Sequence, residues 1–159
     1  PMLHSFAEQI APFGNLQMTL FTKREYQAKN LHDLGKFKLG ILRGLLIEKL
    51  FEDYPNIELV YVNSEASGFD SVEKGYLDGA AFAEVAYRYY SESKGWPYSH
   101  LRQSLFLGEI PVYGWTNKGR ANDPEFAELR RVMNIMKEDG SSTAYMNGIG
   151  VDFGFKREE

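Results

Sequence analysis

Between residues 37 and 62 the chain spells out a strand, a tight turn, an amphipathic segment and a second strand with almost nothing to spare. Residues 37–42 (Phe-Lys-Leu-Gly-Ile-Leu) are an apolar run of strand length. Gly44 then opens a segment in which Leu46, Ile47, Leu50, Phe51 and Tyr54 recur at three-to-four spacing, which predicts a helix stopped by Pro55 and Asn56. Residues 57–62 (Ile-Glu-Leu-Val-Tyr-Val) follow at once as a β-branched strand. So short an αβ connection belongs to a parallel crossover. At 159 residues and 43% hydrophobic content, the chain is long enough for one substantial core and short for two independent domains, so one compact α/β unit is the expectation.

The flanking segments extend this unit. Residues 17–22 alternate and favour a strand after the Pro12/Gly14 turn region, and Asn30 caps a short helical turn over 31–34 that ends at Gly35. A second helix is expected through Phe69, Val72 and Leu77 around Gly75, then a small-residue buried strand over 79–83. A helix from Glu84 to about Ser93 follows, and residues 104–107 and 112–116 are strand candidates. The best-specified element comes last: Asp123 as N-cap, Pro124 at the first helical position, Glu125 in the first turn, and Phe126, Leu129, Met133 and Met136 on one face until Gly140. The tail from 141 to 159 is glycine-punctuated, with Tyr145, Ile149 and Phe153 as docking points. This alternation of strands and helices implies an α/β fold with a mostly parallel, doubly wound sheet.

In such sheets ligands bind at the carboxyl ends of the strands. The turns at Arg43-Gly44-Leu45, Asn63-Ser64, Ala83-Glu84 and Lys118-Gly119 are therefore the candidates for a site. Gly44 stands between a strand and a helix start, where free amides attract anions, but Leu45 and Leu46 supply no hydroxyl and no glycine-rich cradle surrounds them. It serves equally as a plain tight turn. Glu84 begins a helix, where a carboxylate gains from the dipole whether or not it meets a ligand. The aromatics Tyr87, Tyr89, Tyr90, Trp96 and Tyr98 suit either packing or stacking on a flat ligand, and Tyr113 or Trp115 either lines a cleft or fills a core.

Several function classes fall away. The absence of cysteine excludes thiolate–zinc sites, iron–sulfur clusters, disulfides and a cysteine nucleophile. His4, His32 and His100 are far apart and lack metal-ligand spacing. A net charge of −4 and a pI near 5.5, with dispersed basic residues, argue against nucleic acid or an anionic membrane as partner. No run approaches the ~20 apolar residues of a membrane span, no signal peptide opens the chain, and the start at Pro1-Met2 reads as a cut within a longer chain. Neither a Ser-His-acid set nor G-x-S-x-G is present, so no enzyme chemistry, cofactor or metal is expected.

Taken in order, the elements resemble the second half of the periplasmic amino-acid-binding proteins, the extracellular solute-binding family 3. That family runs from a strand to an "ADL" turn, a strand with a Gly-Thr-Thr helix start, a further strand, "G-x-x-D-A", a helix start with an acidic residue, and "YGIAVRKGDPEL". The counterparts are residues 16–23, 30–34, 38–46, 57–63, Gly75 to Gly79, Ala83-Glu84, and 112–119 leading into Asp123-Pro-Glu-Phe126. Residues 133–145 resemble the closing helix pattern "LNKALAELKADGTY". The resemblance implies a periplasmic binding protein-like (type II) lobe: residues 1–107 as hinge entry and second lobe, and 108–159 as return strand, C-terminal helix and tail.

It also implies an extracytoplasmic, periplasmic solute-binding or ligand-sensing module that acts by lobe closure, with Arg43, Gly44, Leu45, Ser64, Ala83, Glu84 and Tyr113 toward the ligand. The implied partners are a small-molecule ligand, a first lobe absent from this sequence, and either an ABC permease or a membrane signalling domain. Where the family carries a hydroxyl for the ligand carboxylate this chain has Leu45-Leu46, and where it carries an aspartate for the amino group this chain has Ala83. A zwitterion left unpaired there costs about several kcal/mol, which implies a diverged ligand. The apolar face of the last helix needs a cover, so a homodimer is a further expectation. The reading of a different class is a small α/β enzyme or cytoplasmic regulatory domain on a small anionic ligand, marked by turnover that Glu84→Gln abolishes.

Overall fold

A computed structural model describes residues 5–92, 98 and 100–142. The elements are β1 (Ala7–Lys23), a 3-10 turn (Leu31–Leu34), β2 (Phe37–Leu42), a 3-10 segment (Leu46–Phe51), β3 (Ile57–Val62), α1 (Glu65–Glu73), β4 (Gly79–Ala83), α2 (Glu84–Glu92), β5 (Leu101–Asn117) and α3 (Pro124–Glu138). They divide into two units: an inserted unit, residues 17–110, and a terminal unit built from residues 1–16 and 111–159. β1 and β5 each contribute to both.

The sheet order is β3-β2-β4-β1-β5. β2 pairs in parallel with β3, Phe37 opposite Ile57 through Leu42 opposite Val62, and with β4, Leu39 opposite Gly79 and Gly40 opposite Ala80. β1 joins β4 antiparallel, with Met18 opposite Ala83 and Thr22 opposite Gly79. The sheet is thus parallel through the crossover strands and mixed where β1 enters.

Period-two alternation explains why both faces of the inserted unit are covered. Met18 and Leu20 of β1, Phe37, Leu39 and Ile41 of β2 and Ala81 of β4 point to one face, where the two 3-10 segments supply Leu31, Leu34, Ile47 and Phe51. Phe21, Ala80 and Phe82 point to the other, against Phe69 and Val72 of α1. Small residues set how closely the layers meet. A Cβ on Gly68 of α1 would stand 2.3 Å from Phe82 Cζ, and one on Gly79 would stand 2.9 Å from the Phe21 carbonyl oxygen.

Several expectations about the elements need correction. The helix expected from Gly44 to Tyr54 is only the 3-10 segment Leu46–Phe51, whose N-cap Leu45 makes no side-chain cap bond. The helix expected to pass Gly75 to Leu77 ends at Glu73, because Gly75 turns the chain at φ +76°. The two strand candidates near the end are one strand, β5, which runs through Gly108 at φ +128° without stopping.

In the terminal unit, Ile10, Ala11 and Met133 form the core, with Phe13 and Phe126 against it. Two charged side chains tie its segments together. The Glu8 carboxylate accepts from the Gly119 amide at 2.6 Å and the Ala121 amide at 3.1 Å. The Arg130 guanidinium donates to the Ile10 carbonyl at 2.8 Å and the Ala121 carbonyl at 2.6 Å. α3 begins at Pro124 as expected, but the Asp123 side chain makes no cap bond and instead accepts from Arg120 at 2.8 Å. Its apolar stripe is also divided: Met133 is buried, whereas Leu129 is exposed and shares an open face with Val132 and Ile135.

Candidate functional site

The parallel registers place three turns on one row. Continuing the β2/β3 pairing by one residue sets Arg43 opposite Asn63, and continuing the β2/β4 pairing by three sets it opposite Ala83. The carboxyl ends of β3, β2 and β4 therefore present Ser64, Gly44 and Glu84 along one edge of the inserted unit, where an open α/β sheet receives a ligand.

At the β2 end, Gly44 adopts φ +83°, a left-handed conformation that glycine takes without a Cβ penalty. Its amide donates to Glu48 Oε1 at 2.7 Å, and the Tyr61 hydroxyl donates to Glu48 Oε2 at 3.4 Å. Arg43 lies across Tyr61, its guanidinium carbon 4.1 Å from the ring centroid. Leu45 faces inward, packed on the first core cluster. The turn is thus a closed network running from Arg43 through Tyr61 and Glu48 back to Gly44.

At the β3 end, the Ser64 hydroxyl accepts from the Ser67 amide while the Ser64 amide donates to the Ser67 hydroxyl, each at 3.2 Å. Ser64 is thereby the N-cap of α1, a reciprocal arrangement that satisfies two otherwise orphaned amides. At the β4 end, Ala83 packs on the first cluster and Glu84 pairs with Arg88 Nη2 at 2.9 Å, one turn along α2. Tyr113 is half-buried on the stretch of β5 that belongs to the terminal unit, so it is not among the residues the inserted unit brings together. The Lys118-Gly119 turn is likewise in the terminal unit, where Gly119 is held by Glu8.

The aromatic group is packing. Phe69 lies at its centre, 5.3 Å from Phe21, 5.1 Å from Phe82, 6.0 Å from Tyr87, 5.9 Å from Tyr90 and 6.1 Å from Tyr98 between ring centroids. Tyr87 stacks on Phe21 at 4.8 Å. Burial, aided by Asp70 for Tyr98 and Glu65 for Tyr90, raises both hydroxyls above the ordinary phenol value. Tyr89 is exposed at the margin against Tyr90, and Trp96 lies outside the described residues, as do His4, Tyr145, Ile149 and Phe153.

Two residues of the edge escaped sequence reading, Glu48 and Tyr61. Tyr61 is one β-favouring residue among six in its strand, and nothing in the sequence analysis singles out Glu48. The usable signal was a glutamate four residues after a turn glycine, within reach of its amide. Among the described residues no three His, Asp or Glu side chains gather as a metal site, and no helix is long and apolar enough to cross a membrane.

No family model and no curated protein matches the sequence. Solved structures match the fold. An amino-acid ABC transporter substrate-binding protein from Streptococcus pneumoniae, bound to L-arginine, aligns with a TM-score of 0.70 at 17% identity, over 94% of this chain and 63% of its own. The periplasmic VFT2 domain of Bordetella pertussis BvgS aligns at 0.71 and 17%, over 92% of this chain and 62% of its own. An arginine transport system periplasmic binding protein from Legionella pneumophila aligns at 0.66 and 12%, over 90% and 65%. The chain therefore spans less than two thirds of each of these three and has the mixed α/β fold of that stretch.

Proposed function

We propose that this chain is part of an extracytoplasmic solute-binding or ligand-sensing protein, with the inserted unit acting as its second lobe. The observation that carries the reading is the row Arg43, Asn63 and Ala83 at the carboxyl edge of a sheet that aligns with amino-acid substrate-binding domains. Residues 1–107 serve as hinge entry and second lobe and 108–159 as the return segment, and a first lobe from elsewhere in the protein completes the cleft. Ligand binding then shifts an open–closed equilibrium, the output being delivery to an ABC permease or a signal to a membrane-borne partner in or at the periplasm.

The internal partners of the edge bear on the ligand. Ser64 is used as a cap, Glu84 is paired with Arg88 and the Gly44 amide is taken by Glu48. A free amino acid offers a carboxylate and an ammonium that need unpaired partners, so this edge supports a diverged ligand, and the pairing of Glu84 weighs against a reading in which it acts as an acid–base group.

The test is a thermal-shift screen of the intact protein against amino acids, small carboxylates, polyamines and sugars. Ligand that binds only the native state raises Tm by mass action. A saturable rise with one class, lost on disrupting the edge with Arg43→Ala plus Glu84→Ala, supports the proposal. Turnover of a carboxylate or phosphate substrate that Glu84→Gln abolishes refutes it in favour of an enzyme.

A further inference from the structure

The carboxylate at the β2 turn is held by more than its own helix. Glu48 Oε1 takes the Gly44 amide at 2.7 Å, Oε2 takes the Tyr61 hydroxyl at 3.4 Å, and Arg43 lies 4.1 Å over the Tyr61 ring. Tyr61 is anchored in β3 and Gly44 follows β2, so the contact joins two neighbouring strands rather than finishing a local turn. Leu45 offers no side-chain oxygen to the segment it caps, only its carbonyl, which accepts from the Glu48 amide at 3.1 Å. The group that answers the exposed amide therefore comes from within the chain, and it is a carboxylate.

We propose that Glu48 is a specificity-determining residue. Its carboxylate occupies the Gly44 amide from within, so this turn rejects a ligand carboxylate, and the part of a ligand that meets the edge here is neutral or cationic. A second carboxylate brought to the same amide would lose the hydrogen bond to Glu48 and meet a like charge at contact distance, both of which disfavour it. The inference rests on the reading that this edge faces the ligand, and it names the chemistry that the edge selects.

The experiment uses the intact protein, labelled with nitrogen-15, and follows the Gly44 amide resonance. Sodium acetate is the probe, with sodium chloride at matched ionic strength as the control. In the native protein the Gly44 resonance shows no acetate-specific shift. Glu48→Ala vacates the amide and gives a saturable acetate-specific shift, whereas Glu48→Gln keeps an acceptor in place and remains silent. If Glu48→Ala loses the dispersed spectrum of a folded chain, Glu48→Ser, neutral and too short to reach the amide, carries the same test. A native response equal to that of the vacated variant, a folded vacated variant that stays silent, or a response in Glu48→Gln overturns the proposal. The amide is read directly, so failure here is distinct from failure of the ligand screen, which overturns the binding function itself.

Discussion

Replacing Gly68 by alanine sets two opposing effects against each other, and the structure decides which wins. Gly68 is a residue of α1, where alanine is intrinsically better by ~1 kcal/mol. Its new methyl, however, would stand 2.3 Å from Cζ and 2.6 Å from Cε2 of Phe82, with Val62 Cγ2 at 3.4 Å. Phe82 is 1% exposed and meets Phe69 edge-on at 5.1 Å, so the ring cannot yield without moving the aromatic cluster. Overpacking of this kind costs ~1–3 kcal/mol after relaxation. With contact at well under van der Waals distance the upper part of that range applies, leaving a net loss of about 2 kcal/mol once the helix gain is subtracted.

Urea unfolding followed by far-UV circular dichroism measures it. With m of ~1–3 kcal/mol/M, the midpoint falls by roughly 1 M. Phe82→Leu makes room for the methyl, so in the double variant the effect of Gly68→Ala turns neutral or favourable, and the two substitutions couple by more than the ~0.5 kcal/mol of independent sites. A single variant as stable as the native chain, or strict additivity with Phe82→Leu, refutes the claim that α1 lies against β4 at glycine distance.

Three further outcomes follow from contacts already described. Arg130→Met removes two charge-assisted bonds between α3, β1 and the loop at Ala121, so the terminal unit loses about 2 kcal/mol and α3 amides exchange faster with solvent, while the inserted unit is unchanged. Ser64→Ala removes the cap of α1 and costs ~1 kcal/mol in the same urea assay, with Ser64→Asp restoring most of it. Burial raises the Tyr90 and Tyr98 hydroxyls, with nearby Glu65 and Asp70 adding to it. A raised folded-state value means the native state holds those protons more tightly, so its stabilisation is complete below the ordinary phenol value of about 10 and is lost as pH rises through the folded values. Phenolate absorbance should show the two titrating late and together with unfolding, and Tyr98→Phe should extend stability to higher pH.

The parallel crossover strands were legible because nothing competes with their signal. Residues 37–42 and 57–62 are apolar runs bounded by Gly and Pro, and β2 and β3 occupy those residues. Of the 3.6-residue pattern after Gly44, Ile47 and Phe51 are in the core and Leu50 and Tyr54 are partly buried against it, but the segment is 3-10 rather than α-helical. The start at Leu45 offers the first amides no side-chain acceptor, whereas α1, of similar length, is capped by Ser64. Pro12 and Gly14 spoke for a turn, yet both lie inside β1. β4 pairs with β1 only from Met18 to Thr22, so Pro12 sits where one side of the strand has no β4 neighbour and its missing donor is tolerated.

The candidate edge is legible in the sequence as a set of turns and not as a set of bonds. Gly44, Ser64 and Glu84 do arrive on one edge because strand register alone places them there. Their present partners, Glu48, Ser67 and Arg88, depend on side-chain geometry that spacing only permits. Tyr113, expected on a return strand, lies on the part of β5 that belongs to the terminal unit.

The inserted unit is one uninterrupted segment, while the terminal unit is assembled from the two segments that flank it. A ribosome therefore delivers the β1 half carrying Glu8, Ile10 and Ala11, then the whole inserted unit, and only afterwards the loop and helix that those residues meet. At ~5–20 residues per second, the intervening residues 17–110 take roughly 5–20 s to emerge. For that interval Glu8 lacks the amides of Gly119 and Ala121, and Ile10 lacks Met133, whereas the inserted unit has all of its own residues as soon as residue 110 has emerged. Order of synthesis thus makes the inserted unit the first folded object, and leaves the outer half of β1 as the segment that a chaperone or a second nascent chain has longest to engage.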